Sequence, residues 1–293
     1  MAPTPKSLIL DLLSSVKDGR ALPVRALIAA AAVFGISENA LRVALARLRA
    51  AGLVTSDATG SYRLGARAEA VNRQTTSWRT AERQVRPWNG DDWIAVFRGS
   101  AAQGAPGARS ARARGERALA FLGFRELRPG LAVRPDNLVG GVAGVRERLF
   151  ELGLEPGAEV VGLHALAPET ARRAATLWDT ASLRLAYRRT IVELERSERR
   201  LPTLPRDEAM RESFLLGGRA IRQIVFDPRL PDPLVPSEER RALVDTMLRY
   251  DLAGRKCWSS FMREMGAVPD ATPAHLRFGG SGSPSGEARA EVP

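Results

Sequence analysis

The stretch from Gly35 to Leu53 constrains this chain more than any other, because it reads as one complete unit of turn, capped helix, stop and strand start. Ser37 stands where an N-cap belongs, with a hydroxyl able to accept from an orphan backbone N–H one turn on. Gly52 suits the left-handed residue that ends a helix. Leu41, Leu45 and Leu48 recur at helical spacing and form an apolar stripe with Ala44 beside them. Asn39, Arg42, Val43, Ala46, Arg47 and Ala50 fall on the other face, which reads as free of acids. A helix over 38–50 is about 20 Å long at ~1.5 Å per residue, a length suited to the DNA major groove.

The flanks give that helix its meaning. Ser7 to Val16 reads as a first helix capped by Ser7, with Leu8, Ile9, Leu12, Leu13 and Val16 as its apolar stripe and Asp18-Gly19 as its stop. A second helix starts at Leu22-Pro23-Val24 and runs to Phe34, where Gly35 ends it and Ile36 plugs the turn. Two helices with a tight glycine-containing link predict a helix-turn-helix. After Gly52 two short strands flank a turn at Asp57 to Gly60, and a hairpin directly after a recognition helix is the wing of a winged helix. In that setting Asn39 can pair bidentately with adenine and Arg42 with guanine, with Val43 beside them. Arg47, Arg49 and Arg63 fit phosphate contacts, Ser37 can offer its hydroxyl at the helix N-terminus, and Ser61 lies near the wing tip. Arg49 turns partly towards the core-facing side.

Charge distribution agrees with a polyanionic partner at this end. The formal net charge is +11, and residues 1–90 hold 13 Lys and Arg against 6 Asp and Glu, so most of the excess sits in the first third. One cysteine, Cys257, excludes an intramolecular disulfide and fits a reducing cytoplasm. No apolar run approaches the ~18 residues of a membrane span, and the N-terminal residues lack the pattern of a signal peptide.

Residues 66–86 read as an Arg-rich connecting helix, with a boundary at Pro87 and Asn89-Gly90. Beyond it the pattern is strand 93–97, a Gly/Ala/Pro loop over 99–107, helix 109–122, strands 124–127 and 131–134, helix 137–152 and strand 160–164. That βαββαβ order is the ferredoxin-like split unit. Thr170 to Arg200 reads as one long helix or a pair, Arg206 to Ile224 as another, and Glu238 to Tyr250 or beyond as the last. The low-complexity tail after Phe278 should be disordered. The fold class expected is therefore α+β, with a winged helix-turn-helix and connecting helix (1–88), a ferredoxin-like central domain (89–168), a helical C-terminal domain (169–278) and a disordered tail (279–293).

Three segments, taken in order, resemble the phenylacetic-acid catabolism repressor (PaaX) family over roughly residues 7–265. They are Asn39 to Leu48 with Gly60-Ser61-Tyr62-Arg63-Leu64; Leu122-Gly123-Phe124 through Ala132-Val133-Arg134-Pro135; and Asp227-Pro228-Arg229-Leu230-Pro231 with Leu234-Val235-Pro236. The resemblance implies a central domain with the fold of small CRISPR-associated nucleases and a homodimeric repressor of a catabolic operon. It also implies release from double-stranded operator DNA by an aryl-acetyl coenzyme A thioester. The chain departs from the family at Gly217-Gly218 and at Ser237-Glu238-Glu239-Arg240, both in the region expected to sense ligand. An acyl-CoA effector needs an apolar slot and cations, for which Trp178, Tyr187, Arg219, Arg222 and Asp227 are the candidates.

Enzymatic readings find little support. The first central strand ends Val96-Phe97-Arg98-Gly99, without the carboxylate a metal-dependent nuclease would use. His164 and His275 sit near no nucleophile elbow, and one cysteine with two distant histidines makes no zinc site. Neither a Walker nor a dinucleotide fingerprint occurs. The expectation is a cytoplasmic, non-enzymatic, DNA-binding regulator with no cofactor and no metal. A nuclease, or a DNA-binding protein with no small-molecule effector, is the alternative.

Overall fold

The computed structural model describes residues 3–15, 21–66, 68, 77–99 and 108–266. Val16, the Asp18-Gly19 stop, most of the expected connecting helix before Ser77, the loop beyond Gly99, His275 and the expected disordered tail lie outside them. Among the described residues the chain is α+β, with nine α-helices, two small antiparallel sheets and a helical C-terminal region.

The first unit runs α1 (Pro5–Ser15), β1 (Leu22–Pro23), α2 (Val24–Val33), α3 (Glu38–Ala50), β2 (Val54–Ser56) and β3 (Ser61–Leu64). Helix α1 starts earlier than its sequence pattern indicates. Thr4 is the cap: its hydroxyl accepts from the Ser7 N–H at 3.1 Å while the Ser7 hydroxyl accepts from the Thr4 N–H at 3.0 Å. Pro5 then takes the first helical position, where a missing N–H costs nothing. Leu22-Pro23 does not begin α2 but forms β1, pairing antiparallel with β3 so that the sheet order is β1-β3-β2. A proline is tolerated there because β1 is an edge strand.

Residues Ser77–Gln84 form 3-10 turns broken at Thr80, not the straight helix expected. Trp78 is buried, Arg79 donates to Asp251 at 3.0 Å and Glu82 pairs with Arg240 at 2.8 Å, so this segment packs on the C-terminal helices.

The second sheet is built from β4 (Trp93–Phe97), β5 (Arg125–Arg128), β6 (Leu131–Pro135) and β7 (Glu159–Leu163), in the order β5-β6-β4-β7 and antiparallel throughout. Helices α4 (Ala108–Phe121) and α5 (Gly141–Glu151) interrupt the strands in sequence. Ile94, Val96, Ala132 and Val160 pack with α4 and α5, whereas Trp93, Ala95 and Val133 join a core shared with the C-terminal helices. With both faces covered, β4 reads as the continuous apolar run Trp93 to Val96.

The helical region comprises α6 (Pro168–Ala175), α7 (Thr180–Arg200), α8 (Arg206–Val225) and α9 (Ser237–Glu264). The expected element over 170–200 is thus a pair, separated where Asp179 caps α7 by accepting from the Ser182 N–H at 2.9 Å. Gly217 is buried where α8 faces α9, and a Cβ there would make ordinary contacts of 3.4 Å with the Met247 methyl and 3.7 Å with the Tyr250 ring.

Arg134 fixes the central sheet to this region. The side chain is 1% exposed. It donates to the carbonyls of Leu122, Pro135 (3.1 Å) and Pro228 (3.4 Å) and to Asn137 Oδ1 at 2.9 Å. Asn137 Nδ2 in turn donates to the Arg229 carbonyl at 2.7 Å. Replacing Arg134 with Ala leaves these acceptors without a donor and opens a cavity, so stability should fall by about 3–5 kcal/mol. Urea unfolding followed by circular dichroism measures this, and an unchanged midpoint would show that the guanidinium does not hold these segments.

Candidate nucleic-acid interface and effector region

The turn that presents α3 is closed by backbone bonds alone. Ile36 N–H donates to the Ala31 carbonyl at 3.0 Å and Gly35 N–H to Ala32 at 2.9 Å, with Gly35 at φ +71°, the geometry of a Schellman helix end. Ser37 is extended, and its hydroxyl accepts from the Ala40 N–H at 3.3 Å. Leu41, Leu45 and Leu48 are buried, while Asn39, Arg42, Val43 and Arg47 are all exposed, as is Arg49.

The outer face is not free of acids. Glu38, at the first helical position, pairs with Arg42 at 2.7 Å. Both side chains are more than half exposed, and such i,i+4 pairs are worth only about 0.3–0.5 kcal/mol. Arg42 is therefore oriented rather than locked. Beside this face runs a groove of about 540 Å³ between α3 and the start of α1, lined by Val43, Ala44, Arg47, Leu48, Pro5 and Lys6. Lys6, absent from the sequence-based set, adds an exposed cation there; its position follows from the cap at Thr4.

The β2–β3 hairpin is tied by Asp57. Its Oδ1 accepts from Thr59 N–H (2.9 Å), the Thr59 hydroxyl (2.6 Å) and Ser61 N–H (3.0 Å). These bonds, led by the Thr59 hydroxyl, hold the carboxyl below its usual range. With the Thr59 proton on Asp57, the Ser61 hydroxyl donates to Thr59 at 3.1 Å, and the exposed Arg63 spends one N–H on Thr55 at 3.3 Å. Tyr62 is half-buried against the unit's core. After the hairpin, Gly65 N–H donates to the Leu53 carbonyl at 2.9 Å, and a Cβ on Gly65 would lie 2.4 Å from the Gly52 carbonyl oxygen.

The five residues expected around an effector do not converge. Trp178 is core: it stacks on Trp93 with centroids 6.4 Å apart and donates to the Gly123 carbonyl at 3.0 Å. Tyr187 and Asp227 do meet, the hydroxyl donating to the carboxylate at 2.5 Å, both buried. Burial raises the Asp227 carboxyl and the Tyr187 hydroxyl above their ordinary values, and the cations facing Asp227 are Arg240 and Arg229. Arg219 and Arg222 are exposed on α8, with Arg219 reaching Glu193 at 3.4 Å. Arg134 and Arg229 lie outside the sequence-based set, although an arginine directly after the apolar run Leu131 to Val133 is a sequence signal of a buried cation.

Among the described residues no group of three or more His, Cys, Asp or Glu is placed to hold a metal ion. At the end of β4, Arg98 donates to Glu155 at 2.6 and 3.0 Å, and this guanidinium holds the Glu155 carboxyl below its usual range against burial, which raises it. No described helix is long and apolar enough to cross a membrane.

Residues 4–68 match the family of PaaX-like proteins, and residues 178–250 match the PaaX-like protein C-terminal domain. No protein among the curated ones matches the sequence. Among solved structures the chain is similar to the uncharacterized protein Rv0674 from Mycobacterium tuberculosis, at 26% identity and a TM-score of 0.57, covering 87% of this chain and 98% of that one.

The seat of the hairpin on α3 is open to a direct check. Gly65→Ala must push β3 away from the Gly52 carbonyl and should cost about 1–3 kcal/mol. Thermal or urea unfolding reads this, and a variant as stable as the parent would show that the close approach is not required.

Proposed function

Since the chain belongs to the PaaX-like family, we propose that it is a transcription regulator that binds double-stranded operator DNA through a winged helix-turn-helix formed by α2, α3 and the β2–β3 hairpin. The observation that carries this reading is the exposed face of α3, where Asn39, Arg42, Val43 and Arg47 stand clear of the core on a rigidly capped helix. Asn39 and Arg42 read base edges, while Arg47 and Arg63 hold phosphates, joined by the Ser37 end of the helix and the wing tip at Ser61. The protein acts as a homodimeric repressor on two half-sites about one helical turn or a multiple apart, without an enzymatic activity. The proposed division is a DNA-binding unit over 1–88, a ferredoxin-like unit over 89–168 and a helical unit from 169, and the repressor is released by an acyl-CoA-type ligand.

Selection of duplex DNA from a random pool, followed by fluorescence anisotropy, tests the interface. Arg42→Ala should lose about 1–3 kcal/mol and relax preference at one base position. Arg47→Ala should weaken binding evenly across sequences and flatten the salt dependence by about one ion. An Arg42→Ala protein as tight and as selective as the parent would remove α3 from the recognition role. Chelator-sensitive cleavage of DNA or RNA in the presence of Mg²⁺ or Mn²⁺ would replace the regulator by a nuclease.

A further inference from the structure

We propose that the cleft between α4, α5 and the Asp227–Arg229 turn is a binding site for a compact organic anion, a carboxylate or phosphate carried on an apolar body. The cleft measures about 270 Å³, and Phe121, Leu122, Leu138, Val139 and Val145 supply its apolar walls. Four arginines also line it: Arg83, Arg134, Arg148 and Arg229. Asp227 is the one carboxylate among the lining residues. Its oxygens are engaged by the Tyr187 hydroxyl at 2.5 Å and by Arg229 N–H at 2.7 Å.

Arg134 spends its donors on the surrounding backbone and Asn137, whereas the other three keep donors to offer. The side chains of Arg83 and Arg148 have no hydrogen bond or ion pair among the described residues. The Arg229 Nε is buried without a partner, while its Nη1 donates to Gln84 at 2.7 Å. A buried N–H left unpaired is destabilising, and cations crowded in a cleft raise the local concentration of anions. Arg229 further holds a left-handed backbone at φ +52°. That conformation is uncommon for a residue with a side chain and collects at ligand sites; here the Asp227 carboxylate fixes it. Size narrows the ligand. A cavity of about 150 Å³ holds benzene, so this cleft of about 270 Å³ accommodates one ring-sized body and an anionic head.

Asp227 follows the C-terminal end of α8, whose other end contacts α2 through Arg211 and Phe214. An occupied cleft thereby bears on the DNA-reading unit, a consequence that rests on the regulator reading, whereas the site itself does not.

Isothermal titration of the full chain with phenyl phosphate, benzoate, inorganic phosphate and neutral benzyl alcohol tests the proposal. Phenyl phosphate or benzoate should bind and benzyl alcohol should not. Two variants keep the fold and disable the cleft differently. Arg148→Glu reverses a charge that has no partner to lose. Gly144→Leu fills the space with every arginine intact, since a Cβ there meets the Val139 oxygen at an ordinary 3.6 Å. Each should weaken the aromatic anion by about tenfold or more, with unchanged circular dichroism. Absence of binding by both aromatic anions, binding of inorganic phosphate alone, or parental affinity in both variants overturns the proposal. A chain that binds duplex DNA but no anion loses this site alone; one that binds the anions but no duplex DNA keeps the site and loses the regulator reading.

Discussion

A single buried guanidinium organises the middle of this molecule. Arg134 comes from β6 and donates to Leu122 at the end of α4, to Pro135 on its own strand, and to Pro228 after α8. Burial and the nearby Arg229 push its pKa down, yet a guanidinium stays charged at neutral pH. Its charge is therefore balanced by carbonyl dipoles and by carboxylates at a distance. Around it the chain closes tightly: a Cβ on Gly123 would lie 2.8 Å from the Pro228 Cα, and Trp178 donates to the Gly123 carbonyl. Two of the segments that carry the family resemblance, Leu122 to Pro135 and Asp227 to Pro231, meet at this one side chain.

A second junction links the helical region to the first unit. Phe34 sits on Phe214 and Trp258, with centroids 5.1 and 6.5 Å away, and Arg211 donates twice to the Val33 carbonyl. Val33 and Phe34 are the last residues before the turn that presents α3. The orientation of that helix is thus set from below by α8 and α9, as well as by its own leucine stripe. Met210 and Phe261 belong to the same apolar cluster as Leu41, Leu45 and Leu48.

The sequence made the local elements legible wherever periodicity and caps agreed: α2, α3, the hairpin, β4 and α8 lie close to where their patterns put them. It was less legible where a residue's partner is remote. Nothing near Leu22-Pro23 indicates that it pairs with Tyr62 and Ser61, forty residues on. Arg240 reads as one charge in an acidic helix start, yet it is buried against Glu82 and the Leu230 carbonyl. The polar residues around the cleft were missed for the same reason: Arg83, Arg134, Arg148 and Arg229 are scattered in sequence, and only the packing of α4, α5 and the turn after α8 brings them together. On α3 the opposite holds, because an exposed helix face is a local property.

The aromatic contact at Phe34 bears on modularity. A DNA-reading unit joined to its regulator by a flexible tether can be exchanged between proteins by recombination at the tether. Here the cut would pass through a shared interior, leaving Phe34 bare on one side and Phe214, Trp258 and Phe261 bare on the other. Descent by exchange of the N-terminal unit would demand simultaneous change on both surfaces. A chain built this way can vary the outer face of α3 by substitution, with the pairing of its parts inherited intact.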